Sequence, residues 1–320
     1  MELVTVDDVR SAAARIEGTV VRTPLTAGPA GGPPFLLKPE SLQPTGAFKL
    51  RGAANAVALL GPGQRCRGVV THSSGNHGQA LAYAARAQGV PCTVVVPEGA
   101  TKVKVDRMRA WDARVVMAAP AEREAVARGL ERDEGLALVP PFDDDRVIAG
   151  QGTVGLEILE QSPEVTTIVV PVGGGGLASG VATAVTAVHP GRVRVVGVEP
   201  ELAAEAAESL RTGHLVAWPP ERTYRTMADG VRVCLSDRTF AHLSARLDEI
   251  VTVTEDEIAR AVAALAHGAR LVAEPSGALA AAALLAGRVP TVPGRAEATV
   301  AVVSGGNLDP ELFARLVAGP

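Results

Sequence analysis

Lys38-Pro-Glu-Ser-Leu-Gln-Pro-Thr-Gly-Ala-Phe-Lys49-Leu-Arg-Gly52 holds two of the four lysines in a chain with 31 basic residues. The other two are Lys102 and Lys104, and every remaining basic residue is arginine. Where a positive charge alone is enough, this sequence uses Arg, so a retained Lys points to chemistry that a guanidinium cannot perform. An ammonium can lose its proton when desolvated, and the free amine can attack a carbonyl. Lys49 lies between Phe48 and Leu50, after the turn-forming Pro44-Thr-Gly46, in surroundings apolar enough to lower its pKa. A surface lysine at a helix start is the other reading, and the rest of the chain decides between them.

Before this stretch, Thr5-Val-Asp-Asp8 has the form of a capping box, ahead of Val9, Ala12, Ala13 and Ile16 at helical spacing. Phe35 to Lys38 reads as a short strand. After it, Leu50 to Leu60 reads as an Ala-rich helix, and strand and helix then alternate. Strands at Gly68–His72, Cys92–Val96 and Arg114–Met117 lead into helices at Asn76–Gln88, Thr101–Trp111 and Ala121–Glu134. Such a βαβαβα run implies a parallel sheet covered on both faces.

The polar Phe142-Asp-Asp-Asp-Arg146 marks an expected domain crossing. Beyond it come a helix at Val147–Gln161, a strand at Thr167–Pro171, a helix to His189 and a strand at Val193–Glu199. A strand at Glu249–Val253, a helix capped by Thr254-Glu-Asp-Glu257, a helix at Ser276–Leu285 and a strand at Ala298–Val303 follow. Residues 211 to 247 carry no clear pattern. The expectation is an α/β protein of two domains built on open twisted parallel sheets. Residues 1–61 and 145–320 would form a discontinuous large domain, and 66–144 a small one.

Nearly half of the 320 residues are apolar, aromatics are scarce, and the net charge is −4. That balance gives no basic footprint for nucleic acid. Cys66, Cys92 and Cys234 are odd in number, widely spaced and without metal-site spacing, which suits a reducing compartment. The acidic N-terminus has no signal-peptide pattern. Val165 to His189 is free of Lys, Arg and acidic residues, yet Pro171 and four consecutive glycines interrupt it, so it reads as a buried strand-loop-helix. A cytoplasmic protein with no membrane partner is expected.

Four loops follow a strand or open a helix, where an open α/β sheet places its ligand. The first holds Lys49. The second, His72-Ser-Ser-Gly-Asn-His-Gly78, brings small residues and amides to a helix N-terminus and suits a carboxylate. The third, Val172-Gly-Gly-Gly-Gly-Leu-Ala178, offers unhindered amides for an anion, most naturally a phosphate. It is not the GxGxxG pattern, and no acidic residue is placed to read a ribose, which disfavours a dinucleotide. The fourth is Ser304-Gly-Gly-Asn307, which alone reads as a simple turn. A reactive lysine, a phosphate cup and a carboxylate cup without a metal cluster point to pyridoxal phosphate chemistry on an amino acid.

Gln43-Pro-Thr-Gly-Ala-Phe-Lys-Leu-Arg-Gly52 resembles the cofactor-lysine segment of the fold-type-II pyridoxal phosphate enzymes, the tryptophan-synthase-β-like fold. Within them it is most similar to the threonine/serine dehydratases (ammonia-lyases) and serine racemases. Ser73-Ser-Gly-Asn-His-Gly-Gln79, Val147-Ile-Ala-Gly-Gln-Gly-Thr153, Gly173 to Leu177, Glu274-Pro-Ser-Gly-Ala278 and Ser304-Gly-Gly-Asn307 match the same family in order. The resemblance covers essentially the whole chain.

It implies that Lys49 carries the cofactor as a Schiff base and then removes the Cα proton. Ser74 would stand on the opposite cofactor face, where racemases use this serine as second acid/base. Phe48 would line the cofactor and Asn76 would bond its ring hydroxyl. Ser73, Ser74, Asn76 and His77 would hold the substrate carboxylate, through the amides around Ser73 to His77. Gly173, Gly174, Gly175, Gly176 and Leu177 would hold the phosphate, and Ser304 would face the pyridine nitrogen. A neutral hydroxyl there cannot keep the ring protonated as a carboxylate would, which favours prompt loss of a β-hydroxyl.

The resemblance further implies a Mg²⁺ or Ca²⁺ site at Glu199, Ala203 (through its carbonyl) and Glu205, with Glu205 replacing the family's Asp. Two solvated acids at a helix start are the other reading. The implied reaction converts L-threonine or L-serine to a 2-oxo acid and ammonia in a homodimer or homotetramer. Racemisation of serine, or dehydration of hydroxyaspartate or a hydroxyectoine-pathway intermediate, are the alternatives. The chain ends just past the family's catalytic module, so feedback inhibition by a branched amino acid is not expected.

Overall fold

The computed structural model describes residues 2–30, 32–73, 75–100, 102–291, 294 and 298–318. Two sheets organise them. One contains, in chain order, β1 (Thr26–Ala27), β2 (Leu36–Pro39), β7 (Thr167–Pro171), β8 (Arg194–Pro200), β9 (Glu249–Val253) and β10 (Thr299–Val303). Its spatial order is β1-β2-β10-β7-β8-β9. The other holds β3 (Val69–Thr71), β4 (Cys92–Pro97), β5 (Arg114–Ala118) and β6 (Ala137–Leu138), in the order β5-β4-β3-β6. Every pairing is parallel except that of β1 with β2.

The strands follow from their composition. β7 and β10 each open on a Thr and are apolar from there on, with every residue buried, the pattern of central parallel strands packed on both faces. The Ala- and Leu-rich helix Pro275–Leu285 is apolar all round and has ten of its eleven residues buried, as a helix enclosed by other elements must be. Both expected capping boxes form, Thr5 with Asp8 and Thr254 with Glu257. The helix expected from Thr101 runs over Lys102–Arg109, Thr101 itself lying outside the described residues. The stretch 211–247 contains the helices Pro220–Thr223 and Asp237–Arg246, the latter capped by Ser236. No helix among the described residues is long and apolar enough to cross a membrane.

Glycines let three helices around the site approach closely. A side chain at Gly150, in the helix Asp145–Gln161, would put its Cβ 2.6 Å from the carbonyl oxygen of Arg51 in the helix Lys49–Ala58. One at Gly180, in the helix Gly176–Val188, would come within 2.4 Å of the carbonyl of Ile148. The lysine-bearing helix is thereby fixed, through its neighbour, to the helix that the glycine loop opens.

Candidate active site

Lys49 opens the helix Lys49–Ala58 and has no carboxylate partner among the described residues. Its Nζ donates to the carbonyl of Pro141 at 2.6 Å and lies 5.0 Å from the Phe48 ring centroid. Burial lowers its pKa to about 8. A desolvated ammonium without a counter-ion deprotonates near neutral pH, which is the property expected of a nucleophilic or basic lysine.

Lys38 is retained for another reason. Its three protons meet three acceptors: the carbonyl of Thr23, Oε2 of Glu157 and Oε1 of Gln161. With Arg51 and Glu40 it completes a buried cluster. Arg51 is bidentate to Glu40 at 2.7 and 2.8 Å, and to Glu157 at 2.6 and 2.9 Å. Burial, the largest single influence, raises the Glu40 carboxyl, but the charge and hydrogen bonds of Arg51, the Thr23 hydroxyl and the charge of Lys38 together hold it below its ordinary value. The cluster ties the lysine helix to β2 and to the helix Asp145–Gln161.

The glycine loop follows β7. Gly175, at φ +83°, caps the helix Gly176–Val188 in the left-handed region that suits glycine, so the helix begins with free amides aimed outward. Phe142 packs on this loop: a Cβ at Gly174 would lie 2.3 Å from its ring. Pro141 and Phe142, neighbours in sequence, therefore join Lys49 to the glycine cup. In the sequence this stretch reads only as a domain crossing, and Pro141-Phe142 ahead of the acidic run is the signal for its place at the site.

The loop after β3 leads into the helix Asn76–Ala87. Ser74 lies outside the described residues. His77 is buried, and burial together with the nearby Lys49 pushes its pKa down to about 3, so the ring is neutral. Its Nε2 donates to the carbonyl of Val139 at 2.9 Å, leaving a buried Nδ1 that has no hydrogen-bond partner among the described residues. A neutral ring presenting an acceptor cannot bind a carboxylate, so any such role falls to the His77 amide. Ser304 directly follows β10, 5% exposed, and its carbonyl accepts from the amide of Phe48 at 3.0 Å. Ala47 bridges Gly305 in the same crossing. Asn76 donates to Glu274 at 2.6 Å and accepts from Asn307 at 2.9 Å. The loops after β2, β3, β7 and β10 thus converge at the carboxyl ends of parallel strands.

These residues fit pyridoxal phosphate. The helix Gly176–Val188 opens with free amides on glycines that leave no room for a side chain, the ring of Phe142 lying 2.3 Å from a Cβ at Gly174, and the amine that would carry the aldehyde is bound to the carbonyl of Pro141, next in sequence to Phe142.

The Glu199–Glu205 pair stands apart. Glu199, 1% exposed, ends near the start of the helix Glu205–Thr212 and accepts from the amides of Ala206 and Ala207 at 3.1 and 2.7 Å. Glu205 is fully buried, and neither carboxylate oxygen has a hydrogen-bond partner among the described residues. Burial and the charge of Glu205 push Glu199 well up, and burial raises Glu205 to about 7. The acids begin a helix but are not solvated. Among the described residues no three His, Cys, Asp or Glu side chains are grouped to hold a metal.

The pyridoxal-phosphate dependent enzyme family model matches residues 16–305. Serine racemase from Arabidopsis thaliana is 40% identical over 309 residues, covering 94% of this chain and 92% of that one. L-threonine ammonia-lyase from Geobacter sulfurreducens is 44% identical over 281 residues, covering 87% of this chain and 68% of that one. The solved structure of maize serine racemase superposes with a TM-score of 0.91 at 35% identity, covering 98% and 97% of the two chains. With that match over nearly its whole length, and with Lys49, the glycine loop after β7 and the loop after β3 brought together by the contacts above, the chain belongs to the pyridoxal-phosphate dependent enzymes of fold type II.

Proposed function

We propose that the protein dehydrates and deaminates a β-hydroxy amino acid, L-threonine or L-serine, to a 2-oxo acid and ammonia. The observation that carries this is the desolvated Lys49, with its lowered pKa, set beside the glycine cup. When bound, the cofactor supplies an electron-withdrawing ring that acidifies the substrate Cα–H. Lys49 anchors it and takes the Cα proton, as an amine titrating near pH 8 can. The amides of Gly173 to Leu177 hold its phosphate. The amides around Ser73 to His77, at the start of the helix Asn76–Ala87, hold the substrate carboxylate. Asn76 serves the ring hydroxyl, and Ser304 serves the ring nitrogen without charging it. Phe48 and Phe142 shield the Lys49 side from water. Ser74 is assigned the opposite face, which only racemisation requires.

The two sheets are read as the cores of a large domain (1–61 and 145–320) and a small one (66–144) that close on substrate. Glu199 and Glu205, completed by the Ala203 carbonyl and waters, are read as a Mg²⁺ or Ca²⁺ site, because buried unpaired carboxylate oxygens call for a cation. A cytoplasmic homodimer or homotetramer is the matching assembly, and three unpaired cysteines agree with a reducing compartment.

Incubation of the cofactor-loaded protein with L-threonine, L-serine and 3-hydroxyaspartate, followed by assay of 2-oxo acid and of substrate chirality, tests the reading. Release of 2-oxo acid from threonine or serine is expected. Inversion at Cα with no 2-oxo acid from any of the three would replace dehydration by racemisation.

A further inference from the structure

Asn307 lies where three segments meet. It leaves β10 through two glycines, and its Nδ2 donates to the carbonyl of Thr45 at 2.7 Å and to Oδ1 of Asn76 at 2.9 Å. Its Oδ1 accepts from Nη1 of Arg107 at 3.4 Å. Asn76 in turn donates from Nδ2 to Oε1 of Glu274 at 2.6 Å. These contacts fix both amides. Turning Asn307 over would set its oxygen against the oxygens of Thr45 and Asn76, and its amino group against Arg107. Turning Asn76 over would oppose two amino groups on one side and two oxygens on the other.

The surroundings allow little slack. Gly46 has φ +73°, and a Cβ there would lie 2.7 Å from Oδ1 of Asn307. A Cβ at Gly305 would lie 2.2 Å from Oε1 of Glu274, which is itself 4% exposed. An Asn amide carries two hydrogens. Glu274 takes one from Asn76 and Asn307 binds its oxygen, so the amide is held in one orientation with its second N–H left to give.

We propose that Asn307 is a positioning residue that, with Glu274, fixes the orientation of Asn76 so that its second amide N–H donates to the ring hydroxyl oxygen of pyridoxal phosphate. This rests on the reading of Asn76 as the ring-hydroxyl partner. A donor at that oxygen favours its anionic form, and so sets the electronic state of the chromophore built on Lys49. The same Asn307 amide holds Thr45, four residues before Lys49, so one side chain registers the ring against the lysine.

Asn307→Asp tests it: the shape is kept, but the donor facing Thr45 and Asn76 becomes an oxygen. The dissociation constant for pyridoxal phosphate should rise about tenfold, the worth of one well-formed hydrogen bond, and the visible absorbance of the loaded protein should shift. Asn76→Ala should do the same, and the double variant should lose little more than either single one. If Asn76→Ala changes affinity and absorbance while Asn307→Asp leaves both as in the wild type, or if the two effects simply add, the positioning role is wrong. If neither single variant changes them, the reading of Asn76 itself fails. Should Asn307→Asp not fold, Glu274→Met, which removes the oxygen that accepts from Asn76 at similar side-chain length, should weaken binding and shift the absorbance in the same direction. Wild-type values for Glu274→Met would overturn the inference.

Discussion

Lys49 and Arg51, two residues apart in one helix, are held in opposite electrostatic states. Arg51 is bound by two carboxylates, whereas Lys49 donates to the Pro141 carbonyl and has no carboxylate partner among the described residues. Burial alone then brings Lys49 down to about 8. Its lowered pKa depends on the carboxylates being held by Arg51 instead.

This gives a pH dependence for cofactor loading. The neutral amine attacks, so the loading rate follows its fraction: about a tenth at pH 7 for a pKa near 8. Stopped-flow mixing of cofactor-free protein with pyridoxal phosphate should show the rate rising about tenfold per unit below pH 8 and levelling above it. A rate still climbing beyond pH 10 would mean an ordinary lysine. Lys49→Ala should abolish the covalent link at every pH.

The Arg51 cluster should be costly to break. Arg51→Met leaves fully buried Glu40 without its main partner, and removing one member of a buried pair typically costs about 3–5 kcal/mol. Urea unfolding should show that loss, and adding Glu40→Gln should recover part of it. A loss under about 1 kcal/mol would mean the cluster is solvated in practice.

The scarcity of lysine and the four loops made the site legible in the sequence, because backbone chemistry is local: glycines after a strand, small polar residues before a helix. The partners of Lys38 and Arg51 were not legible. Glu157 lies 119 residues from Lys38, and no periodicity links them. Asn307 was visible as the end of a glycine turn, but its grip on Thr45 and Asn76 depends on how β10 meets the lysine segment. Residues 211–247 gave no pattern because their helices are short or flanked by Pro and polar turns, which blunts the helical period. The antiparallel edge formed by β1 is two residues long, too short for an alternation to show.

Phe142 offers a steric test of the phosphate cup. Gly174→Ala would put a methyl 2.3 Å from its ring, so either the ring or the loop must move. Overpacking of this kind costs about 1–3 kcal/mol, and equilibrium dialysis should show cofactor affinity falling by at least tenfold, about 1.4 kcal/mol. Phe142→Ala in the same chain should restore part of it by making room. Unchanged affinity in Gly174→Ala would place the phosphate elsewhere.

Glu199 and Glu205 give the last prediction. Two buried carboxylates repel each other, and the oxygens of Glu205 have no hydrogen-bond partner among the described residues. Without a divalent cation, Glu205→Gln should therefore raise the melting temperature, since it removes a buried charge. With Mg²⁺ or Ca²⁺ the order should reverse. The native protein gains about 2.7 kcal/mol at a hundredfold excess over the dissociation constant, roughly 5 °C for a chain of this size, and the variant gains little. Mg²⁺ and Ca²⁺ are compared side by side against a chelator, because oxygen ligands suit both ions. If neither ion moves the native melting temperature while Glu205→Gln still raises it, the pair is a buried repulsion and not a cation site.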